Sequence, residues 1–131
     1  MVVDTSAAIA FLWPEPDSAV FGDALMAADH CVMSALTFYE CRVVLSARFP
    51  PPKLMDFELL ADTIELRVIP FDEEYAILAH DAYRRLGRGS GHPAQLNFAD
   101  CAAYAVARAL DDTLLFKGKD FALTDVRPAL P

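Results

Sequence analysis

Short apolar runs rich in β-branched residues alternate along this chain with longer stretches whose apolar positions recur at helical spacing. "MVV" at the start is a continuous apolar run of the kind a buried strand makes, and "HCVMSA", "ELRVIPF" and "TLLF" repeat the theme further on. Between them lie helical segments. The pattern predicts helices over Ala7–Trp13, closed by Pro14, and over Asp17–Ala28, where Asp17 can cap the first turn. A helix starting at Thr37 and running to about Phe49 is stopped by "PPP", and a shorter one occupies Lys53–Ala61. From Asp72 to Leu86 the residues Tyr75, Ala79, Ala82, Tyr83 and Leu86 share one face, and Gly87 supplies the stop. A Gly-rich loop, "GRGSGHPAQ", leads into one more helix, "LNFADCAAYAVA". Strand–helix alternation of this kind predicts an α/β domain with a mostly parallel sheet of four or five strands, and 131 residues without repeat or linker predict a single domain over 1–131.

Composition narrows the possibilities. No apolar run reaches the ~18 residues that span a bilayer, and the N-terminus lacks the basic region of a signal peptide, so a cytoplasmic protein with no membrane partner is expected. The three cysteines, Cys31, Cys41 and Cys101, sit in apolar contexts without the paired spacing of a zinc site and read as core thiols. A formal charge of −8 argues against a general nucleic-acid binder, so any anionic substrate must be met locally. A mean hydropathy of +0.27 in so small a chain leaves more apolar surface than one core needs, which points to a homodimer.

Four acids fall just past strands or at the start of a helix: Asp4 after "MVV", Glu40 after "VMSALTFY", Asp100 in the first turn of its helix, and Asp120 after "TLLF". The carboxyl ends of strands in an open α/β sheet form one edge, where ligands bind, so these acids are expected to converge. Two carboxylates ~4 Å apart repel by roughly 4 kcal/mol at an effective dielectric near 20, and a cluster of them calls for a cation. All-oxygen ligation suits Mg²⁺ or Mn²⁺. Each acid also has a plainer reading: Thr37 and Glu40 have the spacing of a capping box, Asp100 can complement a helix dipole with Asn97 as N-cap, and Asp120 alone reads as a loop acid. Only Asp4, embedded in "VVDTSAAIAFL", resists one.

The stretches "MVVDTSAAIAFL", "SALTFYECRVVL", "GRGSGHPAQLNFADCAAYAVARAL" and "LLFKGKDF" together make the chain resemble the PIN-domain ribonucleases, in particular the VapC toxins of toxin–antitoxin pairs, over nearly its whole length. That resemblance implies a three-layer PIN-like fold and a metal-dependent endoribonuclease inhibited by a VapB-type antitoxin. It also implies Mg²⁺ or Mn²⁺ held by Asp4, Glu40 and Asp100, with a fourth acidic position near Asp120. Gly118 stands where related toxins carry an acidic or amide residue, and "GKDF" replaces "GDDF", so Lys119 puts a cation at a carboxylate position and leaves one or two metals open. In this reading Asp4 and Asp100 are the principal ligands and Glu40 orients or deprotonates water, with Thr5 and Ser6 near the metal-bound water or a phosphate, though capping of the first helix is the stronger reading for either. Arg84, Arg85, Arg88 and His92 form the basic cluster that could receive RNA, although Arg84 and Arg85 also suit a helix's last turn. Two rivals are a PIN-fold binding module without catalysis and a receiver-like phosphoacceptor domain; the second requires an acidic pair after the first strand, and here Thr5 and Ser6 follow Asp4.

Overall fold

The computed structural model of the protein describes residues 1–131. Its elements run β1 (Val2–Val3), α1 (Thr5–Leu12), α2 (Ser18–Ala27), β2 (Val32–Ser34), α3 (Ala35–Arg48), α4 (Pro52–Thr63), β3 (Arg67–Ile69), α5 (Glu73–Leu86), α6 (Phe98–Ala109) and β4 (Leu114–Leu115), followed by a 3₁₀ turn at Phe121–Leu123. The four strands form one sheet in the order β3-β2-β1-β4, every pair parallel. No helix is long and apolar enough to cross a membrane.

Successive residues of a strand face opposite sides of its sheet, and here that alternation sorts the core into two layers. Val2, Val32 and Leu114 pack against α5 and α6, together with Ala82, Leu86, Cys101 and Val106. Their neighbours Val3, Met33 and Leu115 face the other way, onto Leu12, Leu25, Leu45 and Phe57 of α1 to α4. β1, β2 and β4 are buried on both sides, which is why they read as unbroken apolar runs, whereas the edge strand β3 exposes Arg67 and Val68. All three cysteines are buried free thiols, as expected.

Two connections carry the chain from β1 through β2 to the β3 edge, and the third, through α5 and α6, returns across the sheet to β4 beside β1. Such a reversal of strand order opens a crevice at the carboxyl ends of the strands flanking it, and Asp4, directly after β1, stands at its mouth.

Several helix boundaries differ from the sequence expectation for local reasons. The first helix starts two residues early because Asp4 is its N-cap, accepting from the Ser6 amide, so neither Thr5 nor Ser6 caps it. The third starts at Ala35, not Thr37, because Ser34 at the end of β2 doubles as its N-cap and accepts from the Thr37 amide at 3.0 Å. Asp17 stands at the N-cap position of α2 but gives its carboxylate to Lys117 Nζ at 2.9 Å.

Gly87 ends α5 in an extended conformation, with φ −79°. Its need for glycine is one of close approach: a Cβ there would stand 2.4 Å from the Tyr83 carbonyl oxygen and 2.7 Å from the Tyr83 ring. Gly87→Ala is therefore expected to destabilise the protein by about 1–3 kcal/mol, the usual cost of overpacking, read as a lower urea midpoint at unchanged slope.

Candidate active site

Three of the four acids are set at the carboxyl edge of the sheet by elements that begin there. Asp4 follows the central strand β1 and is only 3% exposed. Its Oδ2 accepts from the Ser6 amide at 2.9 Å and the Ser6 hydroxyl at 2.6 Å. Oδ1 makes no hydrogen bond, and because no buried polar side-chain atom lacks a partner, Oδ1 is in touch with solvent. Glu40 lies one turn into α3, its Oε2 accepting from the Thr5 hydroxyl at 2.6 Å. The capping-box reading of Glu40 is thereby corrected: Thr37 is not the cap, and the carboxylate turns across to α1. Asp100 is half-buried, and its plainer reading holds, since it forms a reciprocal capping box with Asn97: Asp100 Oδ2 accepts from the Asn97 amide at 2.8 Å and Asn97 Oδ1 from the Asp100 amide at 2.9 Å. The box spends one Asp100 oxygen. Each of the three acids thus has one oxygen held in place and one not taken.

Each of the three acids is raised by the charge of at least one other acid. Burial pushes the Asp4 carboxyl up to about 6 against the opposing bonds from Ser6, with further upward pushes from Asp100 and Glu40. Burial also raises Glu40, against the Thr5 bond, with Asp100 adding to the rise. Asp100 is raised by burial and by Asp120, and lowered by its Asn97 bond and by Arg88. Asp120 itself is exposed, and its side chain caps nothing. Beside it Gly118 adopts φ +112° with open space where a Cβ would project, and Lys119 is exposed without an ion-pair partner. No three His, Cys, Asp or Glu side chains close on a single point, so the expected convergence of the acids goes no further than a shared sheet edge. An oxygen-only donor set with one uncommitted oxygen per acid fits a hard divalent cation that keeps several waters.

Thr5 and Ser6 turn their hydroxyls to the acids rather than outward. Ser6 has a second duty, its Oγ accepting from the Lys117 amide at 2.9 Å, which ties the exit of β4 to the exit of β1. Lys117 in turn reaches Glu15 and Asp17. These positioning contacts were not read from the sequence, although the exit of β4 and the run Asp4–Ser6 were both in view there.

The basic cluster separates in space. Arg85 pairs with Asp81 at 2.8 Å and lines a cleft with Tyr104 and Asp125, a different cleft from the one that Arg88 lines. His92 Nδ1 accepts from the Ala94 amide at 3.1 Å and shapes its own loop. Arg84 and Arg88 are exposed and without ion-pair partners. The loop bearing Arg88 is closed at its base, where Gly87 bridges Leu96 and the Arg88 amide donates to the Leu96 carbonyl at 3.0 Å. Arg88 is thereby held beside Asn97 and Asp100.

Acids gathered at the switch point of a small parallel sheet with helices on both faces define a PIN-type domain, and the family model described as "PIN domain" matches residues 1–126. Ribonuclease VapC28 of Mycobacterium tuberculosis is 46% identical over 130 residues, covering 99% of this chain and 98% of that one. Ribonuclease VapC of Mycolicibacterium smegmatis is 38% identical, covering 96% and 97%. Among solved structures, Mycobacterium tuberculosis VapC20, described as a sarcin-ricin loop cleaving toxin, superposes with a TM-score of 0.73 at 20% identity, covering 97% of this chain and 98% of that one. The chain belongs to the PIN-domain family, in its VapC branch.

A carboxyl whose folded value is raised stabilises the protein below its unfolded value and withdraws that stability as pH rises through the folded one. Metal-free protein is therefore expected to lose stability between pH 4 and 6 because of Asp4, by on the order of 3 kcal/mol for a shift from 3.8 to about 6. Urea titrations in EDTA across that range should show the slope in the wild type and a flatter profile in Asp4→Asn.

Proposed function

We propose that this VapC-type protein is the toxin of a toxin–antitoxin pair: an endoribonuclease that uses Mg²⁺ or Mn²⁺ at Asp4, Glu40 and Asp100 and is silenced by a VapB-type antitoxin. The reading rests on the three acids at one sheet edge, each with one oxygen fixed by a local hydrogen bond and one uncommitted. Its enzymatic class follows from the VapC relatives, which are named ribonucleases and align end to end.

Asp4 and Asp100 would hold the cation, with Asp120 flanking them. A divalent ion there supplies charge to neutralise phosphate oxygens and lowers the pKa of water. Glu40, raised by burial and steadied by Thr5, is suited to orient the attacking water and take its proton. Ser6 keeps Asp4 aimed, and Arg88 meets the approaching phosphate. Arg84 extends the same positive edge. Lys119, exposed beside Asp120, offers charge to the RNA where a further carboxylate would offer it to a second metal, so a single metal is the simpler reading.

Asp4→Asn and Asp100→Asn keep an acceptor oxygen for the Ser6 and Asn97 amides. Each is expected to abolish cleavage of structured RNA in Mg²⁺ while leaving the circular-dichroism melt intact. Glu40→Gln should lower the rate by roughly 10²–10⁴-fold, the range for a lost general base. Cleavage persisting in both aspartate variants, or unaffected by EDTA, would overturn the reading.

A homodimer would cover some of the exposed apolar side chains, among them Tyr39, Met55, Leu59 and Ile77. Light scattering at micromolar concentration is expected to give twice the 14.4 kDa chain mass; the mass of one chain would refute the dimer.

A further inference from the structure

Beside the carboxylates lies an open cavity of about 540 Å³, within the size range of small-ligand sites. Its walls come from four separate segments: Leu36 at the start of α3, Phe71 after β3, Tyr83 on α5 and Phe98 on α6. Phe98 is 74% exposed, the most exposed of the large apolar side chains, although it lies two residues from Asp100. An aromatic ring so placed is costly to leave in water unless something covers it.

Polar groups at the cavity rim are uncommitted. Asn97 spends its oxygen on the Ala99 and Asp100 amides and keeps its NH₂ free to donate. His80, Tyr83 and Arg88 line the same space, and their side chains make no hydrogen bond or ion pair within the protein. Apolar walls with a few unspent donors and acceptors are the marks of a small-ligand site.

Charge selects the occupant. Of the 11 Lys and Arg residues, Arg42, Lys53, Arg85, Arg108, Lys117 and Arg127 sit in ion pairs. Among the five that do not, Arg88 lines the cavity, Arg84 is in the last turn of α5 that forms its wall, and Lys119 adjoins Asp120. In a chain of net charge −8, cations without partners thus gather where a polyanion would pass.

We infer that this cavity is a nucleobase pocket, in which an unstacked base next to the scissile phosphate lies against Phe98 and Tyr83, with Arg88 on the adjoining phosphate and Asn97 and His80 reading the base edge. The inference rests on the ribonuclease reading and adds to it the means by which the enzyme chooses where to cut. Stacking of bases on aromatic side chains is the general device for holding single-stranded RNA, and hydrogen bonds at the edge add base preference.

The test uses the full chain in EDTA, so that binding is read without cleavage, and a single-stranded 12-nucleotide RNA carrying one 2-aminopurine. Saturable quenching of the 2-aminopurine is expected. Phe98→Ala should raise Kd between about 5-fold and 150-fold, the range for one lost stacked base, and remove the quenching, while Phe98→Tyr keeps both. Tyr83→Ala gives an independent reading should Phe98→Ala fold poorly, and Val20→Ala, on an exposed face of α2, should change nothing. In Mg²⁺, Asn97→Ala should shift the pattern of cut positions. Cleavage by wild-type protein with no quenching would overturn the pocket and leave the nuclease. A Phe98→Ala variant that becomes monomeric yet quenches like wild type would overturn it in favour of a second copy. Absence of both cleavage and quenching would remove the nuclease reading as well.

Discussion

Asp4 is a carboxylate that the fold forces out of water. It follows the central strand of the sheet, so helices cover it on both sides, and burial sets its pKa more than any neighbour does. Much of the local structure compensates for that placement. Ser6 gives it an amide and a hydroxyl, Thr5 from the same turn holds Glu40 alongside, and the Lys117 amide braces Ser6 from β4. The remaining unfavourable energy is what a cation would relieve. A site that is costly when empty binds its ion correspondingly more tightly, because the ion removes a penalty as well as forming contacts.

The sheet makes this possible with very little material. Strands of two or three residues suffice because each residue is paired in a parallel ladder and all but Arg67 and Val68 at the β3 edge are buried on one face or the other. Parallel order also places all the strand exits on one edge. The acids can then come from distant parts of the chain and still share a site, with caps and helix starts rather than long loops setting their positions.

The same economy explains what could be read beforehand. Strands buried on both faces leave unbroken apolar runs, so "MVV" and "TLLF" were legible, and the acids past them followed from topology. The start of α3 was misplaced because Ser34 serves both strand and cap, a dual use that a linear pattern conceals, and with it went the capping role assigned to Glu40. Arg85 could have been read, since Asp81 stands four residues before it on the same helix and claims it. The cavity beside Asp100 could not: Leu36, Phe71, Tyr83 and Phe98 are remote in sequence, and each alone looks like an ordinary surface or core side chain.

The loop between Gly87 and Leu96 is closed at its base by backbone hydrogen bonds on both sides of the bridge. Between them Ala94 is fully buried and Gly89, Gly91 and Gln95 hold positive φ, so the segment is a fixed shape rather than a slack tether. The main chain of Arg88 is thereby set in place beside the acids before anything binds. An incoming anion meets a cation whose backbone has little freedom left to lose.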